Sequence, residues 1–143
     1  MSVVVDANLL VALALNDPRA AAVDRQLRAW ASAGETLHAP ELLRYEAANA
    51  LTRAVVAGHV ARELAATAWG RIARVDVRLH SVADGAAVVE TALRLQRSNA
   101  YDAAYVVLAQ TLDAELWTLD GSLARNASGL GLPVRLLAAA DSK

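Results

Sequence analysis

The sequence predicts an α/β fold in which a parallel sheet is covered by helices on both faces. Short runs of β-branched and other apolar residues alternate with longer segments whose apolar residues recur at helical spacing. Turn-forming residues separate the two kinds of segment, and no repeat or low-complexity linker interrupts the alternation. With 143 residues, of which 56% are hydrophobic, the chain is expected to form one domain, residues 1–143, with a buried core.

Turn residues mark the helix ends in the first half of the chain. Asn8 can cap a first helix, and Asp17 followed by Pro18 suits an N-cap and a first helical position. Gly34 ends that second helix, and Pro40 can open a third. The predicted strands are residues 2–5 and 36–39, and the predicted helices are residues 8–15, 18–32, 40–57 and 60–74.

The second half of the chain continues the same alternation. The apolar run ELWTL is followed directly by the turn residues Asp120 and Gly121, which predicts a strand that ends there. The predicted strands are residues 75–82, 115–119 and 134–137, and the predicted helices are residues 84–97, 101–112 and 122–127. Short strands separated by helices favour parallel pairing, because a helix can carry the chain back to the end of the sheet at which the previous strand began.

Four acidic residues are predicted to meet at one edge of this sheet. Asp6 and Asp120 each follow a predicted strand, and the carboxyl ends of parallel strands share the edge at which ligands bind. Glu46 and Asp102 lie in helices, and neither has a basic residue three or four positions away. Taken singly, each acid could be a helix cap, a turn residue or an exposed charge. Gathered together they would repel one another, and their hard oxygen ligands suit Mg²⁺ or Mn²⁺.

Composition excludes several other classes of site. There is no cysteine, which excludes disulfides and thiolate sites, and the only lysine is the terminal Lys143, which argues against phosphoryl-accepting domains that need a lysine beside their acid. Asn8 stands where a haloacid-dehalogenase-like phosphatase would carry a second Asp, and the GxxxxGKS/T, GxGxxG and GxSxG motifs are absent.

The net charge of −1 indicates no global basic field. No apolar run is long enough for a membrane span and no secretory signal is visible, so a cytoplasmic location is predicted.

Side chains other than the acids are given smaller roles. Arg53 lies seven residues after Glu46, almost on the same helix stripe, and Arg125 follows Asp120 on a short helix. Either arginine could bind a substrate phosphate, or be an ordinary solvated charge. The three tryptophans are predicted to pack in the core or at an interface, with base stacking as the alternative. The three histidines are scattered and predicted to have no chemical role.

Four segments resemble the PIN-domain ribonucleases, and within them most closely the VapC toxins of bacterial toxin–antitoxin modules. In chain order they are VVVDANLLVALAL, ELLRYEAANALTRA, NAYDAAYVVLAQ and LWTLDGSLARNA, and YDAAYVVLA followed closely by TLD is the most specific pair. The resemblance covers essentially the whole chain. It implies a PIN-like three-layer α/β/α sandwich with a central, mostly parallel sheet of four to five strands.

The same resemblance assigns roles to particular residues. The family's acidic positions, which are both catalytic and metal-binding, fall on the four acids Asp6, Glu46, Asp102 and Asp120. Two polar positions that commonly support these acids fall on Asn8 and Thr118.

The activity implied by the resemblance is hydrolysis of RNA phosphodiesters. One or two Mg²⁺ or Mn²⁺ ions at the four acids would activate a water for in-line attack, and the products would carry 5′-phosphate and 3′-hydroxyl ends. The implied role is the toxin of a type II toxin–antitoxin module, as a homodimer and, with a VapB-like antitoxin that wraps an apolar groove and blocks the site, as a heterotetramer or larger assembly. The alternative is a PIN-fold binding or scaffold protein without catalytic activity.

Overall fold

Five strands and seven α-helices alternate along the part of the chain that the structure, a computed structural model, describes, which is residues 1–97 and 99–137. The strands are β1 (Ser2–Val5), β2 (Thr36–Pro40), β3 (Val77–His80), β4 (Glu115–Thr118) and β5 (Val134–Leu136). The helices are α1 (Ala7–Ala14), α2 (Ala20–Ser32), α3 (Leu42–Val56), α4 (Ala65–Ala73), α5 (Gly85–Arg94), α6 (Tyr101–Thr111) and α7 (Gly121–Gly129). Lys143 lies outside the described residues.

The sheet is parallel throughout, with strand order β3-β2-β1-β4-β5. β1 is its central strand, since Val4 pairs with His38 of β2 on one side and with Leu116 of β4 on the other. Val3, Val4 and Val5 are all buried. A strand that is covered on both faces has no solvent side, which explains a run of three valines without polar alternation.

Helices cover the sheet in two groups. α1 packs against α2, α3 and α4, while α5 packs against α6, which in turn contacts β1, β2 and β4. The result is a three-layer α/β/α sandwich with a five-stranded sheet, so the predicted fold class is confirmed. Among the described residues, no helix combines the length and the apolar character needed to cross a bilayer.

Two of the predicted helix starts are wrong. Pro40 does not open α3 but is the last residue of β2, where it pairs with His80 of β3, and α3 begins at Leu42. The pairing extends one residue further, because the backbone N–H of Glu41 donates to the carbonyl of His80 (2.9 Å). Tertiary pairing therefore overrides the local preference of proline for a helix start. The helix predicted over residues 60–74 is a 3₁₀ turn at Arg62–Leu64 followed by α4.

The caps of the first two helices also differ from the prediction. Asp6, not Asn8, caps α1, and its carboxylate accepts a hydrogen bond from the backbone N–H of Asn8 (3.4 Å). α2 begins only at Ala20, so Asp17 lies in the turn before the helix and accepts from the backbone N–H of Arg19 (2.8 Å) instead of capping. Both corrections concern residues that line the site described below.

The tryptophans pack as predicted, whereas two of the three histidines are in contact with each other. Trp30 is buried and meets Trp117 edge to face, with ring centroids 5.5 Å apart, and Trp69 packs against the core. His38 and His80 lie on neighbouring strands with His38 Nδ1 2.8 Å from His80 Nε2. Their separation along the chain hid this contact, which depends on the register of β2 and β3.

Candidate active site

A cavity of about 280 Å³ opens beyond the carboxyl ends of β1 and β4. All four predicted acids line it, together with Asn8, Ala7, Val11, Ala12, Leu15, Asp17, Arg19, Ala50 and Arg53. The parallel sheet brings Asp6 and Asp120 to the same edge, and α3 and α6 add one acid each. The structure thus brings together residues that are up to 114 positions apart in the chain.

Asp6 is the most buried of these acids, with 8% of its surface exposed. Thr118 donates a hydrogen bond from its hydroxyl to Oδ2 of Asp6 (2.8 Å). Burial raises the pKa of Asp6 to about 7, the charges of Glu46 and Asp102 add to the rise, and the bond from Thr118 opposes it. Near neutral pH this carboxyl group is therefore close to its own midpoint of ionisation.

Asn8 and Thr118 connect Asp6 to Asp120. The amide nitrogen of Asn8 donates to Oγ1 of Thr118 (3.1 Å), and the backbone N–H of Asp120 donates to the same oxygen (3.0 Å). Oδ1 of Asn8 in turn accepts from the backbone N–H of Leu119 (3.1 Å). Since Oγ1 of Thr118 accepts both the bond from Asn8 and the bond from Asp120, its hydroxyl hydrogen is the one that is donated to Asp6.

Asp120 is at once a helix cap and a wall of the cavity. It is the N-cap of α7, and its carboxylate accepts from the backbone N–H of Leu123 (3.1 Å). A carboxylate that caps a helix retains free lone pairs for a second partner. The two interpretations of this residue, cap and site residue, are therefore compatible.

Glu46 and Tyr105 bring two buried oxygens close together. Among the described residues, neither Oε1 of Glu46 nor the hydroxyl oxygen of Tyr105 makes a well-formed hydrogen bond, but the two side chains are near enough for the hydroxyl to lower the pKa of Glu46. Burial raises the pKa of Glu46, hydrogen bonding from Tyr105 opposes the rise, Asp102 adds to it, and Arg53 opposes it. An unpaired buried carboxylate oxygen is unfavourable in the protein alone and marks a place for a ligand.

Asp102 has a cationic neighbour that does not lie three or four positions away along its helix. Nε of Arg97 lies 3.8 Å from Oδ2 of Asp102, and Asp102 is only half-buried. Arg97 precedes α6, five positions before Asp102, where side chains are not placed by helical geometry. Burial nevertheless raises the pKa of Asp102, with Arg97 opposing. As the sequence indicates, no basic residue lies at helical spacing from Asp102, but an arginine outside the helix compensates part of its charge.

The four acids share a cavity without forming a ready-made ligand cage. Within residues 1–97 and 99–137 there is no group of three or more His, Cys, Asp or Glu side chains that could hold a metal ion. Burial raises the pKa of Asp6 to about 7, so near neutral pH this residue is partly protonated, which relieves part of the repulsion among the acids. A bound cation would compete with that proton.

The arginines divide between the cavity and its surroundings. Arg53 lines the cavity, as its position on the stripe of Glu46 suggested, whereas Arg125 does not and is exposed on α7. Sequence reasoning missed Asp17 and Arg19, which also line the cavity. The only local signal was the spacing of an acid and an arginine two positions apart around a proline, which is typical of many turns.

Comparisons with known proteins agree with this architecture. Residues 3–129 match the profile of the PIN domain family. Ribonuclease VapC12 of Mycobacterium tuberculosis is 35% identical over 130 residues, which cover 87% of this chain and 91% of that protein. Ribonuclease VapC3 of Pyrobaculum aerophilum is 30% identical over 138 residues, or 93% of this chain and all of that protein. The crystal structure of PAE2754 from the same organism superposes with a TM-score of 0.68 over 96% of this chain and 90% of that one, at 23% identity, a likeness of fold.

Proposed function

The chain belongs to the PIN-domain family, among its VapC-type ribonucleases, and from this premise we propose that it is a Mg²⁺- or Mn²⁺-dependent endoribonuclease that serves as the toxin of a type II toxin–antitoxin module. The observation that carries the proposal is the meeting of Asp6, Glu46, Asp102 and Asp120 in one cavity. Carboxylates without thiols or imidazoles form a donor set for hard cations.

The residues present fit such a cation in their chemistry, and its binding would have to draw the four carboxylates closer together than the described structure places them. The raised pKa values of Asp6, Glu46 and Asp102 describe carboxylates that are held away from water without full compensation by the rest of the protein. Asp6, Glu46, Asp102 and Asp120 would hold the ion. When bound, it would supply a water of lowered pKa and offset the charge that develops on the phosphate.

The remaining side chains act on the acids and on the substrate. Thr118 orients the carboxylate of Asp6 through its donated hydrogen bond, and Asn8 keeps Thr118 in place. Hydrogen bonds that fix metal-binding carboxylates commonly influence metal affinity and activity strongly. Arg53 lines the cavity and would bind an RNA phosphate, while Arg125 would contact RNA only outside it.

Partner binding is supported by apolar side chains on the surface. Val82, Val89 and Leu93 are each more than half exposed, and Val89 and Leu93 lie one turn apart on α5. Large apolar side chains that cluster on a surface favour contact with another chain. We propose a homodimer, and with a VapB-like antitoxin a heterotetramer or larger assembly, working on RNA in the cytoplasm.

The decisive experiment is cleavage of labelled RNA by the purified protein with Mn²⁺ and with EDTA. Cleavage should require Mn²⁺, should leave 5′-phosphate ends, and should be lost in Asp6→Ala and Asp102→Ala without loss of the fold. Asp84→Ala is the matched control, since Asp84 is an exposed acid that caps α5 away from the cavity. Undiminished cleavage by either site variant would refute the assignment of these acids.

Two further measurements separate the proposal from a catalytically silent scaffold of the same fold. A silent protein should bind Mn²⁺ weakly in calorimetry, whereas the proposed site should bind it through Asp6 and Asp102. Expression of the chain alone should arrest growth, and coexpression of a small neighbouring open reading frame should relieve the arrest. Harmless expression of well-folded protein would count against the toxin role.

A further inference from the structure

One arginine at the cavity is held by a carboxylate that takes no part in the acidic group. Nε of Arg19 donates to Oδ1 of Asp17 (2.9 Å) and Nη2 donates to Oδ2 (3.1 Å), which is a two-point fork. Both residues line the cavity, and the side chain of Arg19 is 43% exposed. The pair therefore stands beside the four acids and remains accessible to a ligand.

The turn that carries this fork is fixed by several backbone bonds. Asn16 adopts a left-handed conformation (φ 52°) after the end of α1, and the N–H of Asp17 donates to the carbonyl of Ala12 (3.0 Å). This is the hydrogen bond of a Schellman helix end. The carbonyl of Asp17 accepts from the N–H of Ala20 (2.8 Å), and its carboxylate accepts from the N–H of Arg19 (2.8 Å). Because the backbone is held on both sides, the guanidinium is placed before any substrate arrives.

The electrostatics of Asp17 differ from those of the central acids. Hydrogen bonding from Arg19 lowers the pKa of Asp17, whereas burial raises the pKa values of Asp6, Glu46 and Asp102. Asp17 is therefore ionised near neutral pH, and Arg19, rather than a metal ion, compensates its charge.

The fork leaves one edge of the guanidinium free. Asp17 occupies the Nε and Nη2 side, and no other side-chain hydrogen bond of Arg19 occurs within the described part of the chain. Both hydrogens of Nη1 and one of Nη2 remain available, and this end of the group can bind two oxygens of a phosphate. A site with five carboxylates on its wall needs such a donor to hold a polyanion.

We propose that Arg19, held by Asp17, is a substrate-binding residue that contacts an RNA phosphate beside the acidic cavity. It would bind the substrate through its positive charge, as Arg53 would, while the acids would bind the metal ion. The inference rests on the proposed ribonuclease function and deepens it. Arg19 and Arg53 come from the start of α2 and from α3, so together they would hold the backbone of a single strand at two points across the cavity.

A charge-neutral replacement tests this contact. The double variant Asp17→Asn/Arg19→Gln removes the fork while leaving the net charge of the cavity unchanged. The matched control is Asp24→Asn/Arg28→Gln, which removes a second arginine–aspartate pair (2.9 Å) further along α2 that lies outside this cavity. Binding of a fluorescein-labelled single-stranded RNA is measured by anisotropy over a series of salt concentrations, with Ca²⁺ in place of Mn²⁺. Thermal unfolding checks that both variants fold.

The first double variant should bind this RNA about tenfold more weakly, and its plot of log K against log salt should be shallower by about 0.7, the change expected for one lost phosphate contact on a single strand. The control should match the wild type in both. Equal binding by wild type and by Asp17→Asn/Arg19→Gln, in a wild type that cleaves RNA, overturns the role of Arg19 alone. A wild type that neither binds nor cleaves RNA overturns the proposed function and this inference together.

Discussion

Asp6→Asn tests the unusual ionisation of the most buried acid. Burial moves the pKa of Asp6 from 3.8 to about 7, a difference of about three pH units. Each pH unit corresponds to about 1.4 kcal/mol, so the ionised carboxylate lowers the free energy of unfolding of the metal-free protein by up to about 4 kcal/mol. Asparagine has nearly the same shape and does not ionise, but its single carbonyl oxygen can either cap α1 or accept from Thr118, whereas Asp6 uses Oδ1 for the first and Oδ2 for the second. The lost bond changes the stability of the variant equally at every pH, so the change with pH reports the ionisation of Asp6.

The sign of the effect follows from proton binding. The folded protein holds the proton of Asp6 more tightly than the unfolded chain does, so the contribution of Asp6 to stability falls as pH rises from about 4 to about 7, and the loss is complete above that range. The difference in unfolding free energy, Asp6→Asn minus wild type, should therefore rise by about 2 to 4 kcal/mol between about pH 4 and pH 8.

Urea unfolding in EDTA, followed by circular dichroism at a series of pH values, measures this difference. Asp84→Asn is the matched control, because Asp84 also caps a helix, accepting from the backbone N–H of Ala87 (3.0 Å), but is exposed. Its curve should stay within about 0.5 kcal/mol of the wild type. In a parallel series without EDTA, Mn²⁺ at about 100 times its Kd should stabilise the wild type by about 2.7 kcal/mol and Asp6→Asn by much less. Parallel curves for Asp6→Asn and wild type across this pH range would refute the reasoning.

Three further changes probe contacts around the acids. Thr118→Val removes the hydroxyl that serves Asp6 and should lower the unfolding free energy by about 1 to 3 kcal/mol in urea titration, whereas an unchanged value would show the bond to be dispensable. Tyr105→Phe removes a buried hydroxyl that lowers the pKa of Glu46, so the variant should lose up to about 1 kcal/mol at about pH 8 in urea titration, and a gain in stability would contradict the contact between these two side chains. Arg97→Gln takes the cation from Asp102 and should lower the unfolding free energy by about 1 kcal/mol at about pH 8. The loss should shrink as the pH falls and Asp102, whose pKa is raised, takes up its proton, and a loss that is the same at every pH would contradict this ion pair.

Much of the fold is predictable from local pattern, and the errors have a common cause. β1, β5 and α6 lie within one residue of their predicted bounds, because strand and helix periodicities are local properties. Pro40 was assigned to a helix because proline favours helix starts, but pairing with β3, a segment some 40 residues away in the chain, keeps it in the sheet. Arg97 was missed as a neighbour of Asp102 because the chain between them is not helical and spacing rules apply only within a helix.

The sequence by itself determined the succession of strands and helices along the chain, because it follows from residue types. It also placed Asp6 and Asp120 at strand ends on one side of the sheet, because parallel strands share one direction. Only the tertiary structure decided which charges face the cavity and in what state. Arg19 lies in it and Arg125 does not, and the same carboxyl chemistry gives Asp17 a lowered pKa and Asp6 a raised one. The physical reason is that burial and the distance to a charged partner are set by contacts between distant parts of the chain, which no local spacing encodes.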